Sequence, residues 1–186
     1  MFLAMPIVLF PAFATDVLQQ PSLLGLLYSA EGVGALLATL TSGSATRVHR
    51  HGRAVVLACM VWGASVGAAG LAPDIWLAIA CFALAGAADM VSALFRAVIL
   101  NQTIPDEMRG RLAGIEMRSY QLGPLGGQVR SGVVADLTSV RFAIVSGGVM
   151  CVAGVAATAV WLRDFWRYDA RTDEHAVRER RVRAVA

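Results

Sequence analysis

The sequence predicts an all-α fold, a polytopic transmembrane helical bundle of about six spans, and three observations predict it. Apolar residues make up 57% of the 186 residues and charged residues only 16%, against about half and about a quarter in an ordinary soluble domain. The apolar residues fall in long blocks, most of which lack the periodic polar face that a soluble helix turns to water. The charges sit mostly between these blocks or close to the C-terminus.

A spanning helix needs about 20 consecutive, mostly apolar residues. The first block, Met1 to about Thr15, is shorter than that and holds Pro6 and Pro11, so a truncated, kinked span is expected. Ala12-Phe13-Ala14 has the form of a signal-peptidase site, but no basic residue precedes it, which argues for a chain beginning partway into a membrane helix. Asp16 to Ser22, with Gln19-Gln20-Pro21, reads as a polar turn. The second block runs from Leu23 to about Ser42, and Ser44 to Arg53 is a basic loop. The third is Ala54 to Ala72, closed by Pro73-Asp74.

The fourth block, Ile75 to about Leu100, contains Asp89 and Arg96 and leads into a polar connection, Asn101 to Arg111. The fifth, about Leu112 to Ala135, is the least apolar and carries Glu116, Arg118, Gln121, Gln128 and Arg130. After a turn at Asp136 to Arg141, the sixth runs cleanly from Phe142 to Leu162. Two regions follow: a transmembrane unit over residues 1–162 with its first span truncated, and a basic tail over 163–186.

Orientation follows from the arginines, which supply all 16 basic Lys/Arg positions of the chain. Arg47, Arg50 and Arg53 share one loop, Arg109 and Arg111 another, and seven more crowd the tail from Arg163 to Arg183. If all six blocks span, these regions lie on one side, and the positive-inside rule makes it the cytoplasm, C-terminus included. The opposite loops hold Asp16, Asp74 and Asp136 with Arg141 as their basic residue. A lipid bilayer is therefore the partner that the positive charge implies, and no nucleic acid is expected.

Catalytic and metal chemistry find no footing. Cys59, Cys81 and Cys151 lie in separate apolar blocks without CxxC spacing, and read as small buried side chains rather than disulfides or zinc ligands. His49, Arg50 and His51 read as part of a solvated loop. No HExxH, GxSxG, phosphate-binding loop or dinucleotide fingerprint is present. Neither an enzyme nor a cofactor is expected.

Three constellations remain. Charged side chains at membrane depth are costly and usually face a water-filled cavity or a partner. Glu31, between Ala30 and Gly32, and Asp89 are thus candidates for substrate contact or for carrying a coupled proton, with a structural ion pair as the alternative. Arg96 lies seven residues beyond Asp89 on the same helical face, with Ser92 between them. Their axial offset of roughly 10 Å forbids a tight contact unless the arginine folds back. Glu116 is at a similar depth to Arg96 and is expected to pair with it across neighbouring helices. Arg130 is expected near the opposite interface. Gly63/Gly67 and Gly123/Gly127 have the GxxxG spacing that lets helix backbones approach in lipid. Gly123-Pro124 before Gly126-Gly127 predicts a bend in the fifth span, either mobile or static.

The fourth and fifth blocks carry a resemblance. Gly86-Ala-Ala-Asp89-Met-Val-Ser92, then Arg96, then Thr103-Ile-Pro105-Asp106-Glu107-Met-Arg109-Gly110-Arg111 resembles the signature of bacterial major facilitator transporters grouped with the enterobactin exporter and Tap-type multidrug efflux pumps. Arg50-x-Gly52-Arg53 is similar to the end of the loop motif repeated in both halves of that superfamily, with His49 standing where its Asp would be. The resemblance implies spans seven to twelve of a twelve-span fold: half of a major facilitator fold. It implies proton-coupled export of small amphipathic molecules, siderophores or drugs, from the bacterial inner membrane. It implies as partners a small-molecule substrate and either the missing N-terminal six-span half or a second copy. It also implies that Arg50, Gly52, Arg53, Asp106, Glu107, Arg109 and Arg111 form a cytoplasmic latch of interhelical charge contacts. The competing reading is a non-transporting membrane remnant or helix-packing assembly module.

Overall fold

The computed structural model describes residues 6–42, 50–104, 106–162 and 165–166. All regular structure among them is helical. A short segment, α1 (Ile7–Val17), is followed by α2 (Leu24–Thr41), α3 (His51–Leu71), α4 (Ile75–Thr103), α5 (Asp106–Leu137) and α6 (Val140–Trp161). The helices that include residues 21–41, 51–71, 75–103 and 140–161 are long and apolar enough to cross a membrane.

Local chemistry sets the element ends. Pro11 sits in the first α-helical turn of α1, and its geometry changes from a 3-10 turn at Ile7–Leu9 to a π turn at Phe13–Val17. The segment is an apolar helix shorter than a membrane span needs. Gln19 takes a left-handed φ of 53°, which reverses the chain before a 3-10 turn at Pro21–Leu23 leads into α2. Asp74 caps α4, its Oδ1 accepting a hydrogen bond from the Leu77 N–H at 2.9 Å. Ser139 caps α6 in the same manner, accepting from the Phe142 N–H at 3.2 Å. Ile104 is extended, as a residue preceding proline must be, and this ends α4.

Three expected boundaries move. The basic loop before α3 ends earlier: His51, Gly52 and Arg53 form its first turn, and His51 is only 8% exposed with its ring 5.3 Å from that of Phe95. His51 is therefore a packed histidine rather than a solvated loop residue, while His49 lies outside the described residues. The polar stretch Asn101 to Arg111 is mostly helix, shared between the end of α4 and the start of α5. At the other end of α5, the turn before α6 is confined to residues 138–139. The cause is length. At 1.5 Å per residue, the 29-residue α4 is about 44 Å long and outruns a hydrocarbon core of about 30 Å, so its polar ends remain helical beyond the apolar layer.

Packing orders the long helices as α2, α4, α3, α6, α5, each lying against the next. The core is built from Phe10, Phe13, Leu27, Val66, Phe82 and Ile144, all fully buried, with small residues between them. The ring of Phe10 of α1 packs at a tilt against Phe82 of α4, centroids 4.7 Å apart, and against Tyr28 of α2 at 5.3 Å. Leu36, Leu37 and Leu40 of α2, Trp76 and Leu84 of α4, and Val149 and Val160 of α6 face outward. Such an apolar exterior suits hydrocarbon tails.

Two seams depend on glycine. On α2 and α4 a Cβ at Gly34 would strike the Ala83 carbonyl oxygen, and one at Gly86 the Glu31 carbonyl oxygen. On α3 and α6 a Cβ at Gly148 would come within 2.5 Å of the Gly63 carbonyl oxygen and the Gly67 nitrogen. The Gly63/Gly67 pair thus does what its spacing suggests: it admits another helix backbone.

Candidate functional site

Glu31 and Asp89 lie on the two helices of the α2–α4 seam. Glu31 lies midway along α2, and the backbone contact at Gly86, three residues before Asp89, brings the two helices together at that level. The Glu31 Oε1 atom is buried and has no hydrogen-bond partner. The Asp89 side chain is about half exposed, 51%, and so faces the more open side of the seam.

Arg96 completes this group. Its Nε donates to the Ser92 carbonyl at 3.3 Å, and its Nη2 lies 3.9 Å from Asp89 Oδ1. The side chain has folded back toward the N-terminus of its helix, the natural lean of a helical side chain. That fold spans the gap that spacing alone leaves open. At 3.9 Å the ion pair is loose, and the guanidinium also lies 5.2 Å from the centre of the Tyr120 ring. The expected partnership with Glu116 is not formed, because Asp89, Ser92 and Tyr120 occupy the arginine's reach.

Glu116 instead lines a cavity of about 400 Å³ between α4 and α5. Arg96, Ile99 and Leu100 form one wall, Leu112, Ile115, Ser119 and Tyr120 another, and Phe165 lies beyond α6. The cavity exists because α5 packs on α6 and on the Ile7–Leu9 turn rather than closely on α4. Neither Tyr120 nor Phe165 drew notice in the sequence. The available signal for Tyr120 was its position one turn beyond Glu116, on the same face of α5.

The remaining expected residues are dispersed. Arg50 is exposed ahead of α3, Gly52 is buried, and Arg53 places its guanidinium 5.5 Å from the centre of the Trp166 ring. Arg111 is exposed, and the side chains of Asp106, Glu107 and Arg109 lie outside the described residues. Helix α5 runs through Pro124 without interruption, with Gly123 half-buried beside it and Gly127 buried. Arg130 reaches from α5 to α6, donating to the Ala143 carbonyl at 3.4 Å and to Ser146 Oγ. Arg141 donates to the Gly70 carbonyl at 3.3 Å, tying the start of α6 to the end of α3. Among the described residues no cluster of His, Cys, Asp or Glu is arranged to hold a metal ion. Among the described residues Cys59, Cys81 and Cys151 form no disulfide, and Cys151 is buried.

Comparison with known proteins decides what this arrangement belongs to. The sequence model of the Major Facilitator Superfamily matches residues 1–184. The chain belongs to the major facilitator superfamily. Within it, the chain is 31% identical over 150 residues to the enterobactin exporter EntS of Shigella flexneri, covering 80% of this chain and 37% of the relative. It is 32% identical over 149 residues to EntS of Escherichia coli O139:H28, and 31% identical over 149 residues to EntS of Citrobacter koseri. Those alignments cover 80% of this chain and 36% of each relative. The chain therefore spans a little over a third of the length of the curated relatives it matches. No solved structure matches it. Superfamily membership and the long apolar helices together make it a multi-pass membrane protein.

Proposed function

We propose that this chain forms one half of a proton-coupled exporter of small amphipathic molecules. Residues 1–162 supply six spans of the transport unit and 163–186 a cytoplasmic tail. The other wall comes from a six-span partner half or from a second copy. In this reading it works in the bacterial inner membrane as a transporter rather than an enzyme, and its arginine-rich loops and C-terminus face the cytoplasm.

The observation that carries the reading is the Glu31 carboxylate. A buried carboxylate oxygen without a hydrogen-bond partner, on the same seam as a second carboxylate whose arginine is only loosely paired, is an unstable arrangement unless a proton or a substrate completes it. Its position on a helix–helix seam gives protonation a mechanical consequence. When Glu31 takes up a proton, the repulsion between it and Asp89 falls, and Asp89 is left to Arg96. When the proton leaves, the seam holds two negative charges and the one guanidinium of Arg96. A conformational cycle that opens this seam alternately to the two sides of the membrane would move protons one way and substrate the other. The relatives named as enterobactin exporters support a siderophore-like cargo.

The test is transport in everted membrane vesicles containing the chain together with the first six spans of the fold. Glu31→Gln and Asp89→Asn should each leave the protein in the membrane at the normal level but abolish substrate-driven proton movement. Normal proton-coupled efflux in both variants would overturn the assignment.

A further inference from the structure

We infer that α5 is held in the bilayer by α6 rather than by its own apolarity, with Arg130 and Ser146 as the tie between the two helices. This rests on the six-span reading of the proposed function, a premise that the closing experiment reads separately.

Hydropathy separates the two helices. Among the described residues, the helices apolar enough to cross a membrane lie at 21–41, 51–71, 75–103 and 140–161, and α5 is not one of them. At 32 residues it is the longest of the described helices, yet its middle carries Glu116, Arg118, Gln121 and Gln128, with Arg130 just beyond them. Each such side chain opposes entry into hydrocarbon, the charged ones most strongly. Pro124 inside the helix also leaves one backbone hydrogen bond unmade. Helix α6 is the opposite case: after Arg141 it carries no charge as far as Trp161, and its mean hydropathy is 2.0. A run of that length and composition enters the bilayer unaided.

Geometry supplies what α5 lacks. The turn between the helices is confined to residues 138–139, so α5 and α6 are packed neighbours. Arg130 lies roughly 10 Å along the axis from the end of α5 at Leu137. Helical side chains lean toward the N-terminus, which for Arg130 points away from the nearer membrane surface, so snorkelling does not serve it. Arg118 differs: it is exposed, and its lean points to the cytoplasmic end of α5. Arg130 instead turns sideways onto α6. Its Nη2 donates to the Ala143 carbonyl at 3.4 Å and to Ser146 Oγ, and Ser146 Oγ donates to the same carbonyl at 3.1 Å. A carbonyl and a hydroxyl of the apolar helix thus do for the guanidinium what water does outside the membrane. The two helices therefore enter the bilayer as one hairpin, and Ser146 of α6 fixes where α5 lies.

Thr138→Cys, in a full chain whose three native cysteines are replaced by alanine, puts one thiol in the exposed turn between the helices. A membrane-impermeant maleimide is added to intact cells, and to permeabilised cells for the total, and only chain recovered in the membrane fraction is counted. With Arg130 and Ser146 in place, the turn should label from outside. Failure to label there would remove the six-span premise and the inference with it. Ser146→Val takes away one acceptor and should lower the ratio of outside-labelled to unlabelled chain about tenfold, as for the loss of a hydrogen bond to a charged group. Ser146→Thr, which keeps a hydroxyl, should label as the unaltered chain does. Arg130→Leu combined with Ser146→Val removes the charge along with its acceptor, so α5 no longer needs the tie and outside labelling should return. Unchanged labelling in Ser146→Val, or a loss that Arg130→Leu does not reverse, would overturn the inference and leave the six-span reading standing.

Discussion

A single methyl group at Gly86 should damage the protein out of proportion to its size. The structure states the reason in distances. A Cβ built on Gly86 lies 2.6 Å from both the carbonyl carbon and the Cα of Glu31, besides striking its carbonyl oxygen. Carbon atoms rest at about 3.5–4.0 Å, so α2 and α4 would have to separate by roughly 1 Å over this stretch. The obstacle is backbone, and no rotamer change relieves it. Overpacking of this kind costs about 1–3 kcal/mol, which corresponds to about 2–4 °C of melting temperature per kcal/mol in a chain of this size. Gly32 provides the control, because a Cβ there meets nothing within 4 Å. Alanine in a helix interior is otherwise favoured over glycine by about 1 kcal/mol, so Gly32→Ala should leave stability unchanged or slightly raised. Thermal unfolding in mild detergent, followed by tryptophan emission and by size-exclusion chromatography, reads both variants. Gly86→Ala should melt several degrees below the unaltered chain. If it melted with the unaltered chain, or if Gly32→Ala were the weaker of the two, the close α2–α4 seam would be refuted.

The second glycine seam and the caps give further outcomes. Gly148→Ala should destabilise the α3–α6 contact in the same assay, because its Cβ would lie 2.5 Å from two Gly63 and Gly67 backbone atoms, whereas Gly154→Ala, with open space around it, should not. Asp74→Ala removes the acceptor for the Leu77 N–H and should cost about 1 kcal/mol of stability, while Asp74→Asn should keep most of it.

Much of the fold was legible because hydrocarbon thickness imposes a length on apolar runs. The blocks of α2, α4 and α6 begin within about two residues of where their helices do, allowing for the usual ambiguity at helix ends. What hydropathy marks, though, is the membrane layer, and not the helix end. His51–Arg53 and Asn101–Thr103 were therefore read as loop, although backbone hydrogen bonding carries the helix past the last apolar residue. Pro105 was the better signal for where α4 stops, since the residue before a proline is forced out of helical geometry.

The candidate site was legible in its members and not in its contacts. Glu31 and Asp89 stand out because charge inside an apolar run is rare. Nothing in their spacing shows that they share a seam, which depends on Gly34 and Gly86 being the only kind of residue that admits the facing backbone. Arg96 illustrates the opposite case. Helix geometry placed it near Asp89, and side-chain lean then decided in favour of Asp89 over Glu116. Contacts such as Arg141 to the Gly70 carbonyl join residues 71 positions apart and leave no trace in local pattern.

The account depends most on α3 crossing the bilayer with its arginine-bearing start inside the cell. Arg50→Cys and Pro73→Cys, each in a chain whose three native cysteines are replaced by alanine, place one thiol at either end of that helix. A membrane-impermeant maleimide added to intact cells should label the site at 73 and reach the site at 50 only after permeabilisation. Labelling of both from outside, or of the site at 50 alone, would contradict the account.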